Sequence, residues 1–428
     1  MLKRGIGKRT LVLMIINSII GAGIFGLPSK IFDLTGVYSL AAFFVCAAIV
    51  MIFILCFAEV SSRFENTGGP YLYILTAFGK FPAFLMGWLL LLSRIFSYAT
   101  LINLMVTYLS FFSPALNDPF ARIIVILFIT LVLTYINHLG VKEIAATSNI
   151  LTISKLIPLA IFIIAGLFFL DADLFTVHQT PTITSFSTAV LLLVFAFGGF
   201  ETTLINTGEI NNPKKTLPFA LLTGTIVVAI FYILIQIVCI GTLPGLADSE
   251  KPVAEAASGF MGSIGGKFIA GGAFISILGT LNGLIFSGSR LPFAFSIEQQ
   301  FPKIFSHVHP KYKTPTFSLL LVSVTATIVS IAWTFLTALA VAVIIRVTVY
   351  LFVCASLIVL RKKMQLQKAF YKIPFGNAVA VTGIVICTWL LSAAKLIELR
   401  NAAILLCIGI IIYVIQHKFK TKKQVDNS

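Results

Sequence analysis

The side chains in this sequence with chemistry to offer are few, and four of them stand where water is scarce. Arg94, Lys155, Glu201 and Arg346 each fall well inside an apolar run. A charged group in hydrocarbon costs about 2.5–3.5 kcal/mol on insertion scales, so such residues read as functional by default. Lys155, in Thr152-Ile153-Ser154-Lys155-Leu156, is a base that could load and release a proton once removed from water. The plainer reading is a permanently charged lysine that ties its helix to a neighbour. No nucleophile stands beside a base and no phosphate loop is present. The five His lack metal-ligand spacing, and the six Cys all lie inside apolar runs, so neither a metal site nor a disulfide framework is expected. An enzyme is not expected, and no cofactor is called for.

Two glycine-rich interruptions supply the rest of the chemistry. One is Gly21-Ala22-Gly23-Ile24-Phe25-Gly26-Leu27-Pro28, and the other is Phe197-Gly198-Gly199-Phe200. Unwinding a helix frees backbone groups that lipid does not tolerate unless they line a cavity, where they become ligand donors and acceptors. Amides around Gly21, Ala22, Gly23 and Ile24, at the positive end of a half-helix dipole, can hold a carboxylate. Carbonyls released around Phe195 to Gly198, at the negative end of another, can hold an ammonium. Together they describe a receptor for an α-amino acid zwitterion. The alternative is that the glycines only permit close helix packing.

The elements that must position these groups are membrane helices. Of 428 residues 58% are hydrophobic and 11% charged, with a mean hydropathy of +1.03, where a soluble protein carries roughly 25% charged residues. Twelve apolar runs recur at approximately 10–31, 38–60, 83–112, 122–138, 148–170, 186–207, 217–242, 266–289, 316–335, 338–360, 375–394 and 400–417. Each is near the length that crosses a bilayer as helix. A β-barrel would alternate instead. The 243–265 connection has room for a small external helix. The net charge of +16 reflects orientation rather than nucleic acid binding. With the N-terminus inside, Lys3, Arg4, Lys8, Arg9, Lys214, Lys215, Lys303, Lys311, Lys313, Arg361, Lys362, Lys363, Lys368, Lys372 and the tail Lys418, Lys420, Lys422 and Lys423 all fall on the cytoplasmic side, as the positive-inside rule expects. Both termini are then cytoplasmic. The first run has no small-residue cleavage site and is expected to stay as a helix. The interruptions fall in the first and sixth runs, five spans apart, so the two enter from opposite sides. Paired interruptions of this kind point to a binding site at the midplane of an inverted repeat.

In order along the chain, several motifs resemble the amino acid-polyamine-organocation superfamily of transporters. They are Gly21-Ala22-Gly23-Ile24-Phe25, Ala58-Glu59-Val60, Thr67-Gly68-Gly69-Pro70-Tyr71-Leu72-Tyr73 and Asn137-His138-Leu139-Gly140-Val141-Lys142. Further on come Phe195-Ala196-Phe197-Gly198-Gly199-Phe200-Glu201 with Glu209 and Asn212-Pro213-Lys214, then Asn282-Gly283 with Ser289-Arg290, and His309-Pro310-Lys311 with Thr314-Pro315. The resemblance implies an all-α polytopic protein of a single transporter domain. Two inverted five-helix repeats would span about 10–170 and 186–360, two further helices would span about 375–417, and helices one and six would be broken. It places the carboxylate site at Gly21, Ala22 and Gly23 and the ammonium site on the backbone of Phe195, Ala196 and Gly198. Phe195 and Leu284 fall where the arginine/agmatine exchangers of that superfamily carry tryptophans, which speaks against an arginine-stacking pocket. Lys155 falls where proton-coupled members carry a lysine in place of a bound ion, and Ser276 and Thr280 would present hydroxyls toward it.

Glu201 and Tyr350 match inner-gate residues of those exchangers. Arg346 lies four residues before Tyr350 on one helix face, which makes an Arg346–Glu201 ion pair the expected partnership. Arg94 lies one turn before Tyr98, a position that faces substrate in the exchangers. A fixed cation there favours anionic or polar neutral substrates, unless Glu59 or another carboxylate neutralises it. The expected function is proton-coupled uptake of neutral or acidic amino acids across the cytoplasmic membrane by alternating access. An amino acid exchanger is the near alternative and a non-transporting amino acid sensor the distant one. The partners are then the amino acid, protons and the bilayer.

Overall fold

The computed structural model describes residues 6–21, 23–64, 69–140, 144–177, 180–363 and 369–425, with the side chains of 144–154, 205–209 and 417–425 left out. Of the features above, Lys3, Arg4, Ala22, Thr67, Gly68, Val141, Lys142 and Lys368 lie outside the described residues. So do the side chains of Thr152, Ile153, Ser154, Glu209, Lys418, Lys420, Lys422 and Lys423.

The described chain is almost entirely helical. Its helices are α1 Lys8–Ile19, α2 Gly23–Thr35, α3 Ser39–Ser61, α4 Gly69–Phe78, α5 Lys80–Leu109, α6 Pro119–Leu139 and α7 Ile144–Gly166. They continue as α8 Ile183–Phe197, α9 Pro213–Thr242, α10 Pro252–Ile297, α11 Thr316–Ala332, α12 Phe335–Lys363, α13 Gly376–Ser392 and α14 Leu396–Val425. Extended pairing among the described residues is limited to one isolated bridge between Ile6 and Ile210. Among the described residues eight helical stretches are long and apolar enough to cross a membrane, and Lys155–Phe169, Thr316–Ala332 and Gly376–Ser392 are shorter apolar helices. The chain is a multi-pass membrane protein. On α6 the side chains of Ile124, Leu127, Phe128 and Leu131 all face outward, an arrangement suited to lipid and costly in water.

Burial separates the helices by role. α5 is buried throughout its most apolar window, because α10, α11 and α12 all pack on it. α1 and α3 pack on α9, α2 packs on α8, and α7 packs on α10 and α1. These contacts hold both glycine interruptions in the interior. The 243–265 connection carries helix from Pro252, where α10 begins, and this segment joins the span through Gly262, whose φ of 69° makes the single non-helical step inside it. Glycine reaches that φ without steric cost.

At the end of α3 a clasp of charge closes the packing. Arg361 grips Glu59 with Nε at 2.7 Å and Nη2 at 2.5 Å, and Arg63 Nη2 adds a third bond at 3.1 Å. The Ile373 amide donates to the same carboxylate at 2.9 Å while Arg361 Nη2 donates to the Ile373 carbonyl at 2.9 Å. The clasp joins α3, α12 and the connection to α13. Glu59 is fully buried, so its neutralisation takes from Arg361 the carboxylate that binds it through two nitrogens. Glu59→Gln is therefore expected to cost roughly 3–5 kcal/mol, read as a lower midpoint of detergent-monitored unfolding. An unchanged midpoint would show the clasp to be idle.

Candidate functional site

α1 stops at Ile19. The Ile20 amide still donates to Ile16 O at 2.8 Å, but the Gly21 amide turns back to Ile19 O at 2.8 Å, and Ile20 has left helical geometry with ψ 89°. α2 restarts at Gly23, so its first-turn N–H groups have no acceptor within the helix and face the break. Gly23 and Ile24 are both buried. Ala22, which joins the two halves, lies outside the described residues.

α8 ends at Phe197. Gly198 is extended, with ψ 167°, and Gly199 takes φ +116°, a conformation that favours glycine. The chain resumes as a 3-10 helix from Phe200 to Glu209 rather than as an α-helix. The two breaks touch. A Cβ on Gly23 would lie 2.8 Å from the Ala196 Cα, so only a glycine lets α2 approach α8 this closely. Gly199 in turn rests against the Ser18 carbonyl. The amide end of α2 and the carbonyl end of α8 therefore meet in one place. Tyr232, on α9, completes the junction, with its hydroxyl 3.1 Å from Ile19 O and 3.0 Å from Ala196 O. Sequence reasoning missed this residue; the available signal was a tyrosine in the middle of an otherwise apolar span.

Below the α8 break lies a buried ion cluster. Arg346 Nε stands 3.4 Å from Glu201 Oε1, and its Nη1 donates to Phe195 O at 3.1 Å. The other Glu201 oxygen accepts from the Gly199 amide at 2.9 Å and from the Tyr350 hydroxyl at 3.3 Å. Arg346, Glu201 and Tyr350 are thus brought together. Arg94 is only 3% exposed and has Glu201, Arg346 and Tyr350 as its charged and titratable surroundings. Its Nε and Nη2 are buried with no hydrogen-bond partner. Glu59, the carboxylate considered for neutralising Arg94, is taken by Arg361 and Arg63. Glu201 is therefore the carboxylate nearest in effect to Arg94, while the ion pair it makes is with Arg346. Tyr98, one turn along α5 from Arg94, directs its hydroxyl to Thr130 of α6 at 2.8 Å and so ties two helices. Leu284 is buried on α10.

Lys155, on α7, reaches the broken end of α1. Its Nζ donates to Asn17 O at 3.1 Å, Ile20 O at 2.9 Å and Thr280 Oγ1 at 3.3 Å. Of the two hydroxyls expected near it, Thr280 reaches the ammonium. Ser276 Oγ is buried without a partner, while its backbone carbonyl accepts from Thr280 at 3.0 Å. Among the described residues no group of three or more His, Cys, Asp or Glu could hold a metal ion.

Comparison with known proteins places this geometry in context. The profile of the amino acid permease family matches residues 6–413. The serine/threonine exchanger SteT of Bacillus subtilis (strain 168) is 28% identical over 434 residues, covering 99% of this chain and 98% of that protein. The branched-chain amino acid permease BcaP of the same organism is 26% identical over 457 residues, 98% of this chain and 94% of that one. The mouse b(0,+)-type amino acid transporter 1 is 28% identical over 350 residues, 76% of this chain and 70% of that one.

Proposed function

We propose, for a chain that belongs to the amino acid permease family and is thus a transporter rather than an enzyme, that it moves neutral or acidic amino acids across the cytoplasmic membrane by alternating access. One observation carries this reading: the amide end of α2 and the carbonyl end of α8 converge where Gly23 meets Ala196. A carboxylate is suited to the first and an ammonium to the second. In this reading Gly21, Ala22, Gly23 and Ile24 hold the carboxylate, and Phe195, Ala196 and Gly198 hold the ammonium. Arg94, Tyr98 and Leu284 shape the side-chain space. Glu201, Arg346 and Tyr350 form the inner gate, and Lys155 with Ser276 and Thr280 handles the proton. Twelve spans arranged as two inverted five-helix repeats plus two helices, with both termini cytoplasmic, provide the frame.

Exchange is the second reading, supported by likeness to a serine/threonine exchanger over almost the whole chain. Purified protein in liposomes separates the possibilities. Concentrative uptake into empty vesicles under an acid-outside gradient marks proton symport, uptake that needs internal amino acid marks exchange, and binding without flux marks a sensor.

The unpartnered nitrogens of Arg94 set the selectivity. A guanidinium in low dielectric repels a cationic side chain more strongly than it would in water and offers an acidic one charge-assisted hydrogen bonds. Glutamate, serine and leucine are therefore expected to compete better than arginine. Arg94→Ala is expected to weaken glutamate most, by about 10–100-fold for a lost hydrogen bond to charge worth ~1.5–3 kcal/mol. Best competition by arginine in the wild type would place Arg94 outside the pocket as a structural partner of Glu201.

A further inference from the structure

We propose that Arg346 is a tethered stand-in for the substrate's ammonium group, filling the α8 break when the transporter is empty and yielding it when an amino acid arrives. The inference rests on the reading of that break as the ammonium site.

Three contacts put the Arg346 side chain inside the break rather than beside it. Its Nη1 donates to Phe195 O at 3.1 Å. The guanidinium carbon lies 5.3 Å from the centre of the Phe195 ring, within cation–π range. A Cβ added to Gly198 would collide with the guanidinium, so the cation rests directly on the backbone where α8 stops. The last carbonyls of a helix carry partial negative charge, and here a cation of the protein already occupies them. Of the neighbouring carbonyls, Ile19 O also accepts from the Gly21 amide at 2.8 Å, whereas Ala196 O relies on a shared donor. Tyr232 has one hydroxyl proton to divide between Ile19 O and Ala196 O. A substrate ammonium brings three.

Arg346 also has somewhere to go. Its Nε lies 3.4 Å from Glu201 Oε1, longer than the ~2.7–2.9 Å of a tight charge-assisted bond. That nitrogen has no hydrogen-bond partner at the present separation. Nη2 meets Ser97 Oγ at 3.4 Å. The guanidinium is thus stretched between the α8 carbonyl and the gate carboxylate. Release from Phe195 O lets it close on Glu201, which sits in the same chain segment as the break. Arrival of substrate is in this way transmitted to the gate by one side chain.

The consequence concerns the empty carrier. Without substrate or Arg346 the negative end of α8 would reorient with no cation, Phe195 O keeping only the Gly198 amide at 3.2 Å and Ala196 O only the Tyr232 hydroxyl. With Arg346 in place the empty state keeps its own cation at the break. Net uptake, which needs an empty return step, therefore depends on Arg346 more than exchange does, because exchange returns loaded.

Arg346→Met keeps an unbranched stem as far as the Nε position and removes the charge and donors of the guanidinium. The probe is the best binder among glutamate, serine, leucine and arginine, and the sample is the full chain in liposomes. The variant is expected to bind the probe about 3–10-fold more tightly, since a competitor that holds most of the empty population is gone. Its ratio of net uptake into empty vesicles to counterflow into preloaded vesicles is expected to fall at least about tenfold on the same arithmetic, and Arg346→Lys to restore much of that ratio. Gly198→Ala, which evicts the guanidinium while keeping Arg346, is expected to lower the ratio likewise and serves if Arg346→Met does not insert. An unchanged ratio in Arg346→Met and Gly198→Ala overturns the proposal. So does weakened binding with both fluxes reduced in proportion, which marks a structural tie to Glu201. The underlying reading fails separately: if the N-acetylated amino acid binds the wild type as well as the free one, the break is no ammonium site.

Discussion

Gly23→Val abolishes amino acid binding while the purified protein stays inserted and monodisperse: that is the largest effect expected at the binding junction. The reason is steric and local. Even the first carbon of a side chain at this position would stand 2.8 Å from the Ala196 Cα and 3.1 Å from its Cβ. Backbone cannot swing aside as a flexible side-chain tip does, so α2 would have to move off α8. Overpacking of this kind costs about 1–3 kcal/mol, which a large helical membrane protein survives. The amide end of α2 and the carbonyl end of α8 would nonetheless no longer face one ligand. Gly23→Ala is expected to weaken binding by about tenfold or more, and the branched Val to remove it from the measurable range. Gly21 supplies the control. A Cβ there meets nothing closer than Thr280 Cγ2 at 3.8 Å, an ordinary contact, so Gly21→Ala disturbs no packing and acts only by narrowing the approach of a carboxylate to the break, the Gly21 amide itself being held by Ile19 O. A several-fold loss of affinity at Gly21→Ala with an unchanged unfolding midpoint supports a carboxylate at the break. Wild-type affinity in purified Gly23→Val removes that site altogether.

The membrane class and both breaks were legible because each is written in one stretch of chain: long apolar runs for the spans, paired glycines for the interruptions. The proximity of Arg346 to Glu201 could be anticipated because the four-residue step to Tyr350 fixes a helix face. Other features depend on partners far away in sequence. Glu59 offered itself as a neutraliser of Arg94, and nothing local reveals that Arg361, 302 residues on, holds it with two nitrogens. The resemblance puts Tyr98 near the substrate, and nothing local reveals that its hydroxyl also ties to Thr130 of α6. Tyr232 was passed over because a tyrosine within an apolar helix is usually packing, and only the meeting of two broken helices brings Ile19 O and Ala196 O to its hydroxyl. The 3-10 form of the segment after Gly199 was not readable either. Composition does not distinguish it from an α-helix, and the tight return past Ser18 is set by tertiary contact. What failed to appear in the sequence was thus the pairing of polar groups across helices, which is also what decides the chemistry of the junction.

Lys155→Ala is expected to eliminate accumulation driven by a proton gradient. An ammonium has three donors and no acceptor, and the three atoms that receive them are Asn17 O, Ile20 O and Thr280 Oγ1. None of the three is charged. The Thr280 hydroxyl gives its own proton to Ser276 O, which leaves a lone pair for Lys155. The positive charge, buried at 3% exposure, is therefore supported by dipoles alone, and two of them are the carbonyls of α1 at its broken end. Should the half-helix α1 move away, the charge would lose both at once in a medium that penalises an unsupported ion. Release of the proton then costs less than retention, and closure of α1 makes reloading favourable. This links one proton to one swing of the half-helix. The same contacts would serve a fixed charge that simply pins α7 to α1, and a second substitution separates the two. Lys155→Arg keeps a cation that cannot deprotonate in a protein, so it preserves a pin and destroys a proton carrier. Under an imposed acid-outside gradient both Lys155→Ala and Lys155→Arg are expected only to equilibrate substrate across the membrane. Thr280→Val, which removes one of three acceptors, is expected to shift the pH dependence of uptake while leaving accumulation measurable. Concentrative uptake by Lys155→Ala with wild-type pH dependence would exclude Lys155 as the proton site, and accumulation by Lys155→Arg with failure of Lys155→Ala would assign it the role of a pin.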